Sequence, residues 1–321
     1  MATAACPIGL ISNPSSGHNR DQFARIRALI DGHPAVHHRI TESAADIAPA
    51  LQDLAARQVG VLAINGGDGT VSAILGELLE SKYFAQPPLI ALLPGGTANM
   101  NAGDIGIRGS LHKAVTRFCQ WCESDRDING KITQRTLMRV VTDSAPAPRY
   151  GMFLGGGAVI HGTEYAHREI HSRGLRDDFS LALGVVRTVW GVLRNDPNFN
   201  RPVTITLTLD NAEPVRHDTL ILAVSTLQRL SFGMRPFWSG APGSIRLTVM
   251  EQGCTRFART FFAIVRGHPS RNAVPANGYH SHNANTLRLE MNGKINLDGE
   301  LIDVAGMVHI EASDPFEFLR L

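Results

Sequence analysis

The sequence predicts an α/β fold in two parts, an N-terminal parallel-sheet domain followed by a C-terminal antiparallel, β-sandwich-like domain. Three observations carry it. Apolar runs of strand length alternate with helical periodicities from Ile8 to Cys122, strand-like segments follow one another from about Lys131, and 321 residues is long for a single core. With 43% hydrophobic and 19% charged residues the chain has apolar material for two cores.

In the first part, "IGLISN" reads as a buried strand, "RDQFARIRALI" as an amphipathic helix, "AVHHRI" as a strand and "DIAPALQDLAARQ" as a second helix. "VGVLAIN" is the next strand, followed by a helix from about Val71 to Leu79, the strand "LIALLP" and a helix from Leu111 to Cys122. Strands alternating with helices at this spacing predict a parallel sheet covered on both faces, which takes ligands beyond the carboxyl ends of its strands. "SNPSSGHN", "NGGDGT" and "PGGTANMN" each fall where such a strand ends, so one sheet edge would gather three glycine-bearing loops.

The second part reads as the strands "TLMRVVTD", "YGMFLGGGAVI", "VTITLTLD", "TLILAVST", "SIRLTVME", "TLRLEMNG", "INLDGE" and "MVHIEAS", interrupted by helical "YAHREIHSR" and "LALGVVRTVWGVLR". The boundary is expected between Ser124 and Gln134, giving domains over residues 1–128 and 129–321.

A formal net charge of +2 is too mild for a nucleic-acid partner and compatible with an anionic membrane surface. "MATAACPIGLIS" lacks a basic segment leading into a long apolar one, and nowhere do 18 apolar residues run uninterrupted, so a soluble or peripheral protein is expected. Four cysteines in so long a chain suit a reducing compartment, the cytoplasm by default. Cys119 and Cys122 form a CxxC on helical apolar spacing with no second pair to complete a zinc site, and read as buried thiols.

Glycines let backbone approach a phosphate closely, and a helix N-terminus favours its charge. Asp68 at the tip of "NGGDGT" is then an anion among anion-binding groups. It is useful there if it faces phosphate through a divalent cation or its waters, or if it holds an acceptor hydroxyl; alternatively it caps the following helix.

"NPSSG", "GGDGT" and "LPGGTANMNA", followed by a distant "LDGE", resemble the diacylglycerol kinase and sphingosine kinase superfamily of lipid kinases, in the same order and over nearly the whole chain. The resemblance implies a nucleotide-binding N-terminal domain and a lipid-binding C-terminal one. It places Ser12, Asn13, Pro14, Ser15 and Ser16 in a first ATP loop and gives Thr41 the place of a nucleotide-touching threonine. Gly66, Gly67, Asp68, Gly69 and Thr70 would hold the phosphates, with Thr97 closing the site. No GxxxxGK[ST] occurs in the sequence, so the phosphates lack a P-loop lysine and a divalent cation, Mg²⁺ by expectation, becomes more necessary; Asp68 would meet it, directly or through water.

In the family the DGE segment supplies the acid that takes the lipid hydroxyl's proton. Here that role falls to Glu300, with Asp298 as competitor or helper; Asp-Gly is equally a common hairpin turn. The sequence departs from many relatives at Ser72-Ala73 and at Asn99-Met100, where they carry acids, and "SFGMRPFWSGAPGSIRL" lacks the aspartate of a structural cation site found in bacterial diacylglycerol kinases.

"RLSFGMRPFW" mixes basic and aromatic residues as an interfacial loop would, and His280 and His282, like His37 and His38, read as solvated. The expectation is an ATP-dependent lipid kinase, cytoplasmic and peripheral at the inner membrane face, acting on diacylglycerol, ceramide or another sphingoid lipid. An NAD kinase-like soluble kinase and a catalytically inactive lipid-binding module are the alternatives.

Overall fold

The computed structural model describes residues 6–164, 191, 192, 194, 196 and 201–321. The chain forms two compact units, Met1–Arg135 with Asp314–Leu321, and Thr136–Ser313. The predicted helices "YAHREIHSR" and "LALGVVRTVWGVLR" lie almost wholly outside the described residues.

The first unit runs β1 (Ile8–Ser12), α1 (Gly17–Asp31), β2 (Val36–Ile40), α2 (Ile47–Ala56), β3 (Val61–Gly66), α3 (Asp68–Glu80), β4 (Leu89–Pro94), α4 (Met100–Ile105), α5 (Leu111–Glu123) and β5 (Ile132–Arg135). The sheet order is β2-β1-β3-β4-β15-β5, where β15 (Phe316–Leu319) returns from the far end of the chain. β2, β1, β3, β4 and β15 are parallel, and β5 runs antiparallel against β15. The central strands read as unbroken apolar runs because helices cover them: every residue of β1 and β3 is buried. α5 supplies Phe118, Cys119 and Cys122 to this core, and burial pushes the two thiols up to about 11 and about 12, as expected of inert helix-face cysteines.

The expected division at residues 128/129 shifts. β5 pairs with β15 from Ile132 to Arg135, so it belongs to the first sheet, and the tail Asp314–Leu321 belongs there too. Neither strand carries a signal beyond four residues of mixed character, too short for periodicity to register.

The second unit is an antiparallel sheet domain, as the sequence predicts, with its strands among the described residues hydrogen-bonded into one sheet of nine. They are β6 (Met138–Thr142), β7 (Ala145–Gly151), β8 (Phe153–Gly157), β9 (Val203–Leu209), β10 (Val215–Ser225), β11 (Ile245–Glu251), β12 (Tyr279–Ala284), β13 (Thr286–Leu297) and β14 (Glu300–Ala312). The path is β12-β11-β10-β8-β13-β14-β6-β7, and β9 also joins β10 to β13. The predicted strand "YGMFLGGGAVI" divides at Met152 and turns helical from Ala158, while "TLRLEMNG" and "INL" prove to be one long strand. A helix, α6 (Phe257–Val265), and the edge strand β12 were not foreseen. β12 reads "YHSHNA", polar enough to pass for a loop.

Candidate functional site

In the parallel sheet Ser12 pairs with Ile40 and Asn65, and Gly66 pairs with Pro94, so β2, β1, β3 and β4 end level with one another. The loops that follow β1, β3 and β4 therefore emerge side by side, and side chains stitch them together. Asn13 Nδ2 donates to Thr70 Oγ1 at 3.0 Å, Ser16 Oγ lies 3.4 Å from Thr70 Oγ1, and the Gly67 N–H donates to Ser16 Oγ at 3.2 Å. The first loop is shaped by an Asn13 turn, whose Oδ1 accepts the Ser15 N–H at 2.9 Å. Ser15 is exposed, and Pro14 is half-buried beside it.

The third loop closes on both others through glycine. A Cβ on Gly96 would stand 2.3 Å from Gly67 Cα, and one on Gly17 would stand 2.4 Å from Thr97 Oγ1. Backbone meets backbone at Gly67–Gly96, which requires glycine at 96, while a Cβ on Gly67 would stand 3.3 Å from Gly96 Cα, a tight contact. Asn99, in the left-handed region at φ 45°, folds this loop on itself: its Oδ1 accepts the Gly96 N–H at 2.8 Å and its Nδ2 donates to Gly96 O at 2.7 Å.

Helix α3 starts at Asp68, three residues earlier than the sequence reading, which puts Asp68 in its first turn. The carboxylate caps a different helix from the one expected. Its Oδ2 accepts the Met100 N–H at 3.0 Å and its Oδ1 the Asn101 N–H at 2.8 Å, so it holds the first turn of α4 instead of its own. Met100 takes part through its backbone at the position where many relatives carry an acid. Burial pushes the Asp68 carboxyl up, against the opposing pull of these two N–H groups.

Thr41 is buried beyond β2, its N–H donating to Ser12 O at 2.9 Å. Ser12 Oγ accepts from Asn65 Nδ2 at 3.1 Å and lies 2.9 Å from His38 Nε2. Gly69 faces open space: a Cβ there meets nothing within 4 Å. The structure thus brings Ser12, Asn13, Ser16, Thr41, Gly66, Gly67, Asp68, Thr70 and Thr97 to one sheet edge. Sequence reasoning missed Asn19, whose Nδ2 donates to Asn13 O at 2.8 Å and to Asn65 O at 3.2 Å, and Asn65 itself. Asn65 had a signal, a lone amide closing an apolar strand; Asn19 had none.

The acids of "LDGE" sit in the second unit on the hairpin between β13 and β14. Leu297 pairs with Glu300, leaving Asp298 and Gly299 as a two-residue turn with φ of 47° and 98°. Both Asp298 oxygens accept backbone N–H groups, Met152 to Oδ2 and Phe153 to Oδ1, each at 2.9 Å. Glu300 stands exposed, paired with Arg149 Nη1 at 2.8 Å. Asp298 therefore holds structure, and Glu300 is the acid presented to solvent.

In the basic-aromatic segment the exposed ring is Phe232, 60% exposed, whereas Trp238 packs on the core containing Phe261 and Tyr279. Among the described residues no helix is long and apolar enough to cross a membrane.

Residues 7–128 match the family model of the diacylglycerol kinase catalytic domain. A "Probable lipid kinase YegS-like" of Enterobacter sp. (strain 638) is 35% identical over 106 residues, 33% of this chain and 35% of the relative. A "Probable lipid kinase YegS" of Escherichia fergusonii is 35% identical over 108 residues, with the same two shares. The chain thus covers about a third of the length of these relatives. Two solved structures from Bacillus anthracis str. Sterne, one described as a diacylglycerol kinase, share the fold at TM-scores of 0.66 and 0.61 with 16% and 13% identity. They cover 99% and 97% of this chain, and 98% and 96% of their own. The catalytic-domain match thus lies on the segment that carries the three stitched loops, and the fold is shared with these structures along nearly the whole chain.

Proposed function

We propose that this chain is an ATP-dependent lipid kinase that transfers the γ-phosphoryl group to a primary hydroxyl of a membrane lipid, diacylglycerol or ceramide or another sphingoid lipid. The observation that carries the reading is the meeting of three glycine loops at the carboxyl ends of β1, β3 and β4, beside the first turn of α3. First-turn N–H groups lack carbonyl partners within their own helix and suit phosphate.

The residues fit a divalent cation as well. Asp68 is a buried carboxylate held only by neutral backbone donors among the described residues, and each of its oxygens has a lone pair beyond the N–H it accepts. Mg²⁺ is commonly bound by one or two carboxylates together with substrate phosphates, and Asp68 would hold it directly or through water. When bound, the ion neutralises charge on the transferring group. The residues of the chain do the rest. Ser16 and Thr70 exchange their mutual contacts for phosphate oxygens, while Gly67 and Gly96 keep the loops close enough for backbone to reach the ligand.

Glu300 accepts the proton of the lipid hydroxyl as the bond to phosphorus forms. Its pairing with Arg149 is between exposed groups, and such pairs are worth about 0–1 kcal/mol, so releasing it costs little. Asp298 keeps the turn in shape. In this reading the protein is cytoplasmic and binds the inner membrane face peripherally.

The test is transfer of label from γ-labelled ATP to a panel of diacylglycerol, ceramide, sphingoid base and NAD, with and without Mg²⁺. Labelled lipid supports the proposal. Label on NAD alone selects the soluble-kinase reading, and lipid binding without any transfer selects the inactive module.

A further inference from the structure

Away from the three loops, the second unit gathers three metal-ligating side chains from three neighbouring strands. His217 lies near the start of β10, Glu251 ends β11 and His280 lies on the edge strand β12. Thr219 pairs with Glu251, and Val249 pairs with His280. Residues two apart on a strand share a face, so His217, Glu251 and His280 fall on one side of the sheet, the side that also carries Val249. Sequence reasoning left His280 solvated and without an acidic companion. In the structure its side chain is 14% exposed, and the companions arrive through strand pairing.

Their ligand atoms all lie within 4.8 Å of one another. Glu251 Oε1 is 2.7 Å from His217 Nδ1 and 3.2 Å from His280 Nε2. The two imidazoles stand edge to face with centroids 4.7 Å apart. His280 Nε2 is sealed from solvent, and at 3.2 Å its approach to Glu251 lacks the alignment of a full hydrogen bond. A buried ring nitrogen so weakly satisfied costs free energy unless something else completes its bonding. Two nitrogens and an oxygen bound tetrahedrally to one zinc at about 2.0–2.1 Å stand about 3.3 Å apart, so the 2.7 Å Glu251–His217 contact would open slightly while the cluster's wider separations, none above 4.8 Å, would draw in. Glu251 is 31% exposed on its side chain, which gives a route in from solvent.

We propose that His217, Glu251 and His280 form a divalent transition-metal site of zinc type, with His217 Nδ1, His280 Nε2 and a Glu251 carboxylate oxygen as ligands and water completing the shell. Imidazole donors select such a metal over Mg²⁺, which prefers oxygen alone. The ion would tie the edge strand β12 to β10 across the end of β11, closing a sheet edge that the sequence otherwise leaves short and polar.

The test uses the full chain, stripped by chelation and dialysed. Wild type should take up one Zn²⁺ per chain, melt at higher temperature with Zn²⁺ but not with Mg²⁺, and show slower amide exchange across Tyr279–Ala284 when loaded. His280→Ala and Glu251→Gln should each lower zinc affinity by at least about 10-fold, while His37→Ala, in a different histidine pair, should not. Glu251→Gln preserves volume and keeps the test valid should His280→Ala fold poorly. Zinc uptake that is substoichiometric, or unchanged in a folded Glu251→Gln protein, would overturn the proposal and leave a His–Glu–His ion cluster only.

Discussion

Asp68 Oδ1 accepts the backbone N–H of Asn101 at 2.8 Å, fastening the second glycine loop to the helix that follows the third. With the Met100 N–H on Oδ2, the carboxylate satisfies two helix-start donors at once. Asp68→Asn should therefore do more than remove charge. An amide oxygen accepts one N–H, but the amide NH₂ opposes the other, and a buried donor without an acceptor costs about 1–3 kcal/mol. The melting temperature should fall, and kinase activity should drop by about 10²-fold or more if the charge also organises a cation. A variant that loses stability but keeps activity, measured above a saturating ATP concentration, assigns Asp68 to holding α4 alone.

Two glycines of the site separate packing from ligand approach. Gly96→Ala forces a Cβ to within 2.3 Å of Gly67 Cα, and backbone against backbone cannot yield cheaply. It should destabilise by about 1–3 kcal/mol and abolish ATP binding with it. Gly69→Ala meets nothing within 4 Å and should melt no lower than wild type, since alanine favours a helix. If Gly69 is kept for close phosphate approach, its alanine variant loses about 10-fold or more in ATP affinity while fully folded. Titration calorimetry with ATP, paired with thermal melts, reads both.

How much of this was legible follows from how each element announces itself. β1, β3 and β4 are unbroken apolar runs ending in glycine loops, so the parallel sheet and its ligand edge could be read directly. Ser16 and Thr70 were found through motifs, but that Ser16 contacts Thr70 depends on strand register, which a motif does not carry. β15 stayed hidden because four residues after a long antiparallel domain show no period, and only the slot between β4 and β5 gives them a place. His280 stands out in the sequence only as a solvated histidine, and His217 and Glu251 not at all, because each is unremarkable on its own strand and pairing makes them neighbours.

His38 gives the first unit a pH dependence of known sign. Burial lowers its pKa from the ordinary 6.5, outweighing the favourable charge of Asp31. The folded state therefore binds fewer protons than the unfolded one between that lowered value and 6.5. The stability at issue is complete above about 6.5 and is lost as pH falls toward the folded pKa. Protonation would also make Nε2 a donor to Ser12 Oγ, which already accepts from Asn65. Denaturation midpoints of wild type and His38→Gln should converge at low pH and separate as pH rises through the window. Parallel curves would show that His38 does not contribute.

Membrane attachment, if it runs through the basic-aromatic segment, should rest on Phe232 instead of Trp238. Phe232 is 60% exposed, while Trp238 is packed on a core. Phe232→Ser should weaken sedimentation with anionic vesicles without changing the melt, and binding should fall as salt rises. Trp238→Ser should lower the melting temperature instead. Vesicle binding that ignores both Phe232 and salt would place the contact elsewhere.

The two acids of the hairpin should part company when mutated. Asp298 sits in the left-handed region at φ 47° and spends both oxygens on the N–H groups of Met152 and Phe153. Asparagine tolerates that backbone but accepts through one oxygen only, so Asp298→Asn should lose stability, by about 1–3 kcal/mol for the donor left unpaired. Its effect on rate then follows from a displaced turn. Glu300 is exposed and gives up only an ion pair with Arg149 at 2.8 Å, so Glu300→Gln should leave the melt almost unchanged. If Glu300 takes the proton of the lipid hydroxyl, kcat falls by about 10²-fold or more while ATP affinity holds, because the group acts chiefly in the transition state. Arg149→Ala separates pairing from chemistry, since freeing Glu300 from its partner should leave kcat intact or raise it. A fully folded Asp298→Asn protein without turnover, beside an active Glu300→Gln, would reverse the assignment and make Asp298 the proton acceptor.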